Sequence, residues 1–168
     1  MKSKTLRAII DNSNYYLIDV IVYQDGSIFC WELIHLESFK ERLESGKILI
    51  TLPNDAKLHL EGWGIIEVKE FNNFKTNSDF VKEIEDVICE LNDRKTRAEI
   101  CRETFKEYLL NPNSKNYLHL KIAYEDLPSH QKVIMDYVDY KDPIVGMFER
   151  NETFTEMQRK EMLDYYFN

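Results

Sequence analysis

The chain has 168 residues, of which 43% are hydrophobic and 31% charged, a balance typical of a soluble globular protein. Its 22 lysines and arginines against 30 aspartates and glutamates give a net charge of −8, which argues against direct nucleic-acid binding because phosphate contacts need clustered basic residues. No apolar run approaches the roughly 18 residues of a membrane span, so we expect no membrane association. The length predicts one domain, residues 1–168, mainly β over 1–75 and mainly α over 76–168.

The cysteines and the N-terminus indicate a compartment. Cys30, Cys89 and Cys101 cannot all pair within one chain, and none forms a C-x-x-C motif. The N-terminus carries charge but no apolar signal core. We therefore expect a cytoplasmic protein. A richness in Ile, Lys, Asn, Glu and Tyr is typical of an AT-rich coding sequence, which hints at a low-GC bacterium or its phage.

Two apolar, β-rich runs, Tyr15–Gln24 and Ser27–Leu33, flank the dipeptide Asp25-Gly26, which predicts a β-hairpin. A two-residue loop gives this hairpin one coherent apolar face, which we expect to be buried. The pairs on that face are Val22 with Phe29, Val20 with Trp31, and Ile18 with Leu33.

The same register places the carboxylates of Asp19 and Glu32 opposite each other, where they repel. One interpretation is a functional pair for a metal ion or for acid–base chemistry, since crowded carboxylates raise one pKa or share a cation. The structural alternative is that a third strand brings Arg7 or Lys4 between them, or that a bulge separates them.

The rest of the first half predicts one short helix and three strands. The helix is expected from about residue 35 to 45, because apolar residues recur on one helical face and Gly46 is placed to end it. Strands follow over about 47–52, 57–60 and 65–70. This order favours an antiparallel sheet with one helix packed on it.

The second half predicts helices. Apolar spacing gives helices over about 79–91 and 97–110, the second opened by a capping box at Thr96–Glu99. Residues Tyr117–Tyr124 alternate like a strand but also suit a helix, and the surrounding helices favour the helix. Further helices are predicted from Pro128 and from a second capping box at Thr153–Glu156. The predicted class is α+β: an N-terminal antiparallel sheet with one short helix, followed by a helical C-terminal half.

The densest polar constellation runs from His130 to Asp142. Asp136, Asp139 and Asp142 are spaced to share a helical face, and with a histidine nearby these hard ligands suit Mg²⁺ or Mn²⁺. The structural alternative is an ordinary solvated helix end. Because no phosphate-binding loop, zinc-protease motif or nucleophile elbow is present, we expect a protein that is not an enzyme and needs neither cofactor nor metal.

Aromatic residues are mixed with acidic ones near the C-terminus. Residues 123–168 hold 10 acidic and 5 basic side chains among several tyrosines and phenylalanines. This mixture suits the surface of a basic protein partner, although a core under the last helices explains the aromatics as well. The predicted binding residues are His130, Asp136, Tyr137, Asp139, Tyr140 and Asp142.

The run YQDGSIFCW, residues 23–31, resembles a Y-x-D-G-x-I-x-C-W hairpin in a family of small uncharacterised bacterial proteins. The spacing of Phe39, Gly46 and Pro53 is similar to that family as well. Residues 123–130 and 136–144 resemble its Y-x-x-I-P-x-H…D-M-D-x-K-D-x-P-I stretch, with departures at 135–136 and 139–143. The resemblance covers the chain to about residue 145 and implies a bacterial cytoplasmic α+β domain with no assigned activity.

These observations predict a non-catalytic acidic protein that binds and inhibits a protein partner, as immunity proteins and phage-encoded anti-defence inhibitors do. The partner is expected to be basic, and a homodimer is compatible with the sequence. One alternative is a metal-dependent hydrolase or nuclease that uses the aspartates of 136–142 with His130, or Asp19 with Glu32. Another is a small-ligand or nucleotide sensor with a pocket between the two halves.

Overall fold

The computed structural model describes residues 1–72, 75–132, 143–150 and 152–167. They form two compact units, Met1–Arg94 and Lys95–Asn168. The division falls later than the predicted change from β to α near residue 75, because the first long helix of the second half belongs to the first unit. The prediction of a single domain stays a prediction.

The first unit is a sheet with two helices. In chain order its elements are β1 (Ser3–Asp11), β2 (Tyr15–Tyr23), β3 (Ser27–Phe29), β4 (Leu33–His35), α1 (Leu36–Glu44), β5 (Ile48–Leu49), β6 (Ala56–Leu60), β7 (Gly64–Val68) and α2 (Asn77–Leu91). The strand order is β4-β3-β2-β1-β5, with β6 paired to β2 and β7 to β6. Every pairing is antiparallel except that of β2 with β6. This confirms the predicted antiparallel sheet with one short helix, and adds β1, which the sequence analysis missed.

The β2–β3 hairpin is present, but its predicted register is wrong by one residue. Val22 pairs with Ile28 instead of Phe29. A one-residue slip moves every side chain of a strand to the other face. Ile28 is accordingly buried, whereas Phe29, Trp31 and Leu33, all predicted to be buried, are 39%, 50% and 64% exposed.

The slip arises in the hairpin loop, which has three residues instead of two. Gly26 lies in the left-handed region at φ 84° and donates its N–H to the Tyr23 carbonyl at 3.0 Å. The Asp25 carboxylate accepts from the hydroxyl of Ser27 at 2.6 Å and from its N–H at 3.0 Å. These bonds hold the pKa of Asp25 below its ordinary value. Such a loop, with glycine in its last position, is the next commonest hairpin after the two-residue form.

The main core of the first unit lies between one face of the sheet and the two helices. Phe39 of α1 and Phe80 of α2 meet there, with ring centroids 5.9 Å apart. The fully buried members of this cluster are Val20, Val22, Ile28, Cys30, Phe39, Ile48 and Ile84. A smaller cluster, formed by Ile9, Leu52, Ala56 and Leu58, joins β1 to β6.

Both helices of the first unit have identifiable ends. α1 matches its predicted bounds, and Gly46 follows it at φ 73°, as expected of a residue that stops a helix. α2 begins two residues earlier than predicted because Thr76 and Asp79 form a reciprocal capping box.

The second unit is helical in the residues that the structure describes. Its elements are α3 (Arg97–Leu110), α4 (Ser114–Asp126), α5 (Ser129–Lys132), α6 (Pro143–Glu149) and α7 (Glu156–Phe167). Their shared core is Cys101, Phe105, Leu109, Leu120, Tyr124, Leu127, Ile144 and Met147. None of the helices in the described part of the chain has the length and apolar character that crossing a membrane requires.

Capping decides where two of these helices begin. The predicted box of Thr96 and Glu99 is confirmed at α3, and the hydrogen bonds from the Thr96 backbone and side chain lower the pKa of Glu99. At α7 the predicted box is displaced by two residues. Thr155 and Gln158 exchange the reciprocal bonds, with the Thr155 N–H donating to Gln158 Oε1 at 2.9 Å.

Candidate binding cleft

One edge of β2 is shared by two strands that leave a gap between them. β1 occupies the other edge along all of β2. On the shared edge, β3 pairs with Ile21 and Val22, and β6 pairs with Tyr15 and Tyr16. Residues 17–20 have no strand partner on this edge in the described ranges. At about 3.3 Å per residue this stretch is about 13 Å long.

The two strands that flank the gap, β3 and β6, each end in a tight turn that carries a tryptophan. β3 ends where the Cys30 N–H donates to the Glu32 carbonyl at 3.0 Å, and Trp31 between them has φ 68°. A bulky residue rarely adopts this left-handed conformation. β6 ends where the Trp63 N–H donates to the Leu60 carbonyl at 3.1 Å. The two turns thus bring both tryptophans of the chain to the gap.

The gap opens into a cleft of about 1080 Å³. Its walls come from the first half of β2, from the two turns, from the adjoining ends of β3, β6 and β7, and from one residue of β1. The lining residues are Arg7, Tyr16, Leu17, Ile18, Asp19, Phe29, Trp31, His59, Leu60, Glu61, Gly62, Trp63, Gly64 and Ile65. All of them belong to the first unit.

Aromatic rings make up much of the cleft surface. The Tyr16 ring lies between two others, with its centroid 5.5 Å from Trp31 and 4.8 Å from His59. Trp31 is half exposed, and Trp63 is 91% exposed. Water contact over so much tryptophan surface is unfavourable, and such residues commonly mark a binding site.

The charged residues of the cleft are Arg7, Asp19 and Glu61. Arg7 Nε lies 2.9 Å from Asp19 Oδ1, because the two residues face each other across β1 and β2. Glu61 has no ion pair with any residue that the structure describes. With His59 neutral, the lining carries a net charge of −1.

The predicted carboxylate pair is not formed. Asp19 pairs with Arg7, as the structural alternative anticipated, and Glu32 pairs with Arg42, whose Nη2 lies 2.6 Å from Glu32 Oε1. The three-residue loop also removes the register that placed the two carboxylates opposite each other. The described residues contain no group of three or more histidine, cysteine or acidic side chains able to hold a metal ion.

Behind the Trp31 turn lies a buried thiol. Cys30 has no exposed surface, and burial raises its pKa, an effect that the nearby Arg42 guanidinium opposes. The thiol is therefore protonated at neutral pH and is a packing residue of the core.

Most of the predicted binding residues lie outside the described residues, namely Asp136, Tyr137, Asp139, Tyr140 and Asp142. His130 is described and lies in α5, close to Lys132, whose Nζ is 5.6 Å from the centroid of the Tyr124 ring. The structure therefore leaves this predicted site a prediction.

Tyr16, His59 and Trp63 were not predicted as site residues, and Trp31 was predicted to lie in the core. One signal was available for Trp63, which lies between Gly62 and Gly64 in a predicted turn. A turn runs over the surface, so a tryptophan there is exposed unless something covers it. The alternation of side chains along β2 and β3 gave no comparable indication that Trp31 is exposed.

The division into units also changes where the negative charge lies. The first unit holds 11 basic and 17 acidic residues, a balance of −6, and the second holds 11 and 13, a balance of −2. Much of the acidity counted in the second half belongs to α2 and its flanks, where residues 76–94 hold 2 basic and 6 acidic residues. The unit with the cleft is therefore the more acidic one.

Residues 1–95 match a family described as a domain of unknown function (DUF7638). The match ends one residue beyond the first unit, so the family domain coincides with the unit that contains the cleft. No curated protein and no solved structure matches the chain.

Proposed function

The chain belongs to DUF7638, whose description assigns no activity, and we propose that it is a non-catalytic acidic protein that binds and inhibits a basic protein partner. The cleft of the first unit is the proposed contact surface. The proposal includes inhibition because a protein that covers a basic surface blocks whatever uses that surface, as immunity proteins and phage-encoded anti-defence inhibitors do.

The observation that carries the proposal is the exposure of Trp31 and Trp63 on the two turns that flank one gap. Tryptophan is among the residues that contribute most to protein interfaces, because a large rigid ring loses little conformational entropy on binding. Covering the exposed parts of the two rings removes roughly 300 Å² from water, about 7 kcal/mol at ~25 cal/mol/Å² as an upper value. That is comparable with the cost of association, estimated at about 4–15 kcal/mol.

Charge supports a basic partner. The first unit carries −6 and the cleft lining −1. A field of one sign raises the association rate with an oppositely charged surface and suppresses partners of like charge. Association should therefore slow as the salt concentration rises.

The experiment is affinity capture from a low-GC bacterial lysate with four forms of the full chain, followed by mass spectrometry. They are wild type, the cleft variant Trp31→Ala with Trp63→Ala, a control variant Leu118→Ala with Ile122→Ala, and the triple aspartate-to-lysine variant at 136, 139 and 142. The control removes two exposed apolar side chains of α4, which are 54% and 57% exposed.

We expect one stoichiometric basic partner that is retained by the control and lost from the cleft variant. A partner lost only from the triple aspartate variant would assign the contact to the segment predicted from the sequence. A partner retained by every variant would remove the cleft from the interface. Capture of nothing by wild type would count against a protein-binding function.

A small-ligand sensor is the second candidate, and the cleft volume favours it. Ligand pockets typically occupy about 300–1,000 Å³, close to the 1080 Å³ found here. From the sequence, the ligand pocket is expected between the two halves, whereas this cleft lies wholly within the first unit. Thermal-shift measurements with a nucleotide set test this candidate, and an unchanged melting temperature throughout would exclude the nucleotides used.

A metal-dependent hydrolase or nuclease stays a prediction that rests on residues 136–142. Calorimetry with Mg²⁺ and Mn²⁺ tests it directly. Heat of binding that disappears in the triple aspartate variant would support it.

A further inference from the structure

The cleft combines aromatic faces with a carboxylate that forms no ion pair with any described residue. Trp31, Trp63 and Tyr16 supply the rings, and Glu61 supplies the carboxylate. The second carboxylate, Asp19, is engaged by Arg7. A cation placed over a tryptophan ring is attracted by its electron-rich face, and a nearby carboxylate adds to that attraction.

The backbone of β2 adds acceptors to the same gap. Just beyond the ends of β1 and β2, the Gln24 N–H donates to the Lys2 carbonyl at 3.1 Å, which continues the register of the two strands. In an antiparallel pair alternate residues bond to the same neighbour, so even-numbered residues of β2 are directed toward β1. Leu17 and Asp19 therefore direct both their carbonyl and their N–H groups to the opposite edge, where the gap lies.

We infer that the cleft takes an arginine side chain of the basic partner, an inference that rests on the proposed function. A guanidinium group is planar, stacks on aromatic rings, and carries five N–H donors and no acceptor. It thus matches two tryptophan rings, the Glu61 carboxylate, which no described residue pairs, and two backbone carbonyls. Arg7 shows that the cleft already accommodates one guanidinium, held by Asp19, and Glu61 is the carboxylate left for a second.

Lysine fits this arrangement less well, because its ammonium is compact, strongly hydrated and unable to stack. A neutral planar group of the same shape retains the stacking but loses the attraction to Glu61 and to the ring faces. Comparing the three side chains therefore separates the effect of charge from that of shape, because lysine has the charge of arginine without its planar shape and citrulline has the shape without the charge.

The test is titration of the full chain with N-acetyl-arginine amide, N-acetyl-lysine amide and N-acetyl-citrulline amide. Intrinsic tryptophan fluorescence is the readout, since both tryptophans of the chain line the cleft. We expect a saturable change with the arginine probe, and binding about tenfold weaker with the citrulline probe. Equal affinity for those two probes, or no saturable change with any probe, overturns the inference.

The matched variants are Glu61→Gln and Glu70→Gln. Both remove one exposed carboxylate from the same unit, and only Glu61 lines the cleft. Glu61→Gln should weaken arginine binding about fivefold while Glu70→Gln leaves it unchanged, and an equal effect of the two changes overturns the assignment of Glu61.

The two proposals fail in different ways. A partner that is captured through the cleft while the arginine probe gives no response overturns the arginine inference and leaves the proposed function intact. A saturable arginine response without any captured partner overturns the proposed function and leaves the binding of arginine by the cleft intact.

Discussion

The left-handed backbone of Trp31 allows the strain in the cleft to be measured separately from the loss of its ring. In the described residues, the non-glycine positions with positive φ are Ser13, Trp31, Asp55 and Asp93, so Trp63 has an ordinary negative φ. The chain therefore offers a matched pair: two exposed tryptophans, both on turns beside one cleft, one strained and one not. Replacing each by alanine and by glycine gives four variants.

The expected magnitudes follow from the backbone alone. A left-handed conformation costs a residue with a Cβ roughly 1–2 kcal/mol, and glycine avoids that cost. Glycine in turn loses about 0.5–1 kcal/mol more on folding, because its unfolded chain is freer. Trp31→Gly should therefore be about 0.5–1 kcal/mol more stable than Trp31→Ala. At Trp63 the order reverses, and alanine should be more stable by about 0.5–1 kcal/mol.

Together the four variants measure one quantity, the free-energy cost of the left-handed conformation at Trp31. Alanine and glycine both remove the ring, so its contacts, such as that of Trp31 with Tyr16, cancel within each pair. Subtracting the difference at Trp63 from that at Trp31 cancels the entropy of glycine as well. What remains is the cost of the left-handed conformation, about 1–2 kcal/mol.

The assay is urea unfolding followed by far-ultraviolet circular dichroism, which does not depend on tryptophan. A difference of the same sign at both positions would show that Trp31 is not held in the left-handed region in solution. In the capture assay Trp31→Ala and Trp31→Gly should lose the partner equally, because they lack the same ring. Unequal capture would mean that backbone conformation, and not the ring, carries the contact.

The hairpin loop, the cysteines and the family domain each give a further test. Asp25 has a lowered folded-state pKa, so its charge contributes stability that is present above its ordinary value of 3.8 and is lost as the pH falls through the lowered value. Wild type and Asp25→Asn should therefore differ in unfolding free energy at about pH 7 and converge as the pH falls below 3.8, and a constant difference would contradict the role of the charge. Iodoacetamide should modify Cys89 in the native protein and spare Cys30 and Cys101, which are buried. Mass spectrometry should therefore find one adduct on the native protein and three on the protein unfolded in urea. Rapid modification of Cys30 in the native protein would show that its turn opens. A chain of residues 1–95 should give a dispersed amide NMR spectrum, because two core clusters lie wholly within it, whereas an unfolded fragment would favour the single domain predicted from the sequence.

Local signals were enough to predict the helices. Apolar spacing and the Thr96–Glu99 capping box set α3, and the same reasoning gives the existence of α2 and α4. The exceptions are α6, which was not predicted, and two helix starts. α2 begins two residues earlier than predicted, and at α7 Thr155 and Thr153 are both followed three residues later by an acceptor. Only the bonds actually formed distinguish them.

The sheet was less predictable, because strand pairing depends on contacts distant in sequence. β1 was missed: its first residues mix Lys4 and Arg7 with apolar side chains and give no clear alternation. In the structure these two cations form ion pairs, Arg7 with Asp19 and Lys4 with Glu90 of α2. The ion pair of Asp19 with Arg7 was therefore predicted only as the structural alternative, because no strand over residues 3–11 was assigned from the sequence.

The cleft and the error in the hairpin have one cause. With a two-residue loop, Phe29 and Trp31 lie on the buried face of the sheet; one more residue in the loop moves Phe29 to the other face and places Ile28 and Cys30 in the core. The strand beside β2 ends at Phe29 and Trp31 forms a left-handed turn, so residues 17–20 have no strand partner on this edge among the described residues. The apolar residues of that strand satisfy either register, so the alternation of the sequence cannot choose between them. The hydrogen bonds from Ser27 to Asp25 and the left-handed Gly26 stabilise the three-residue loop and so fix the register. The same register exposes the ring of Trp31, which the proposed partner contacts.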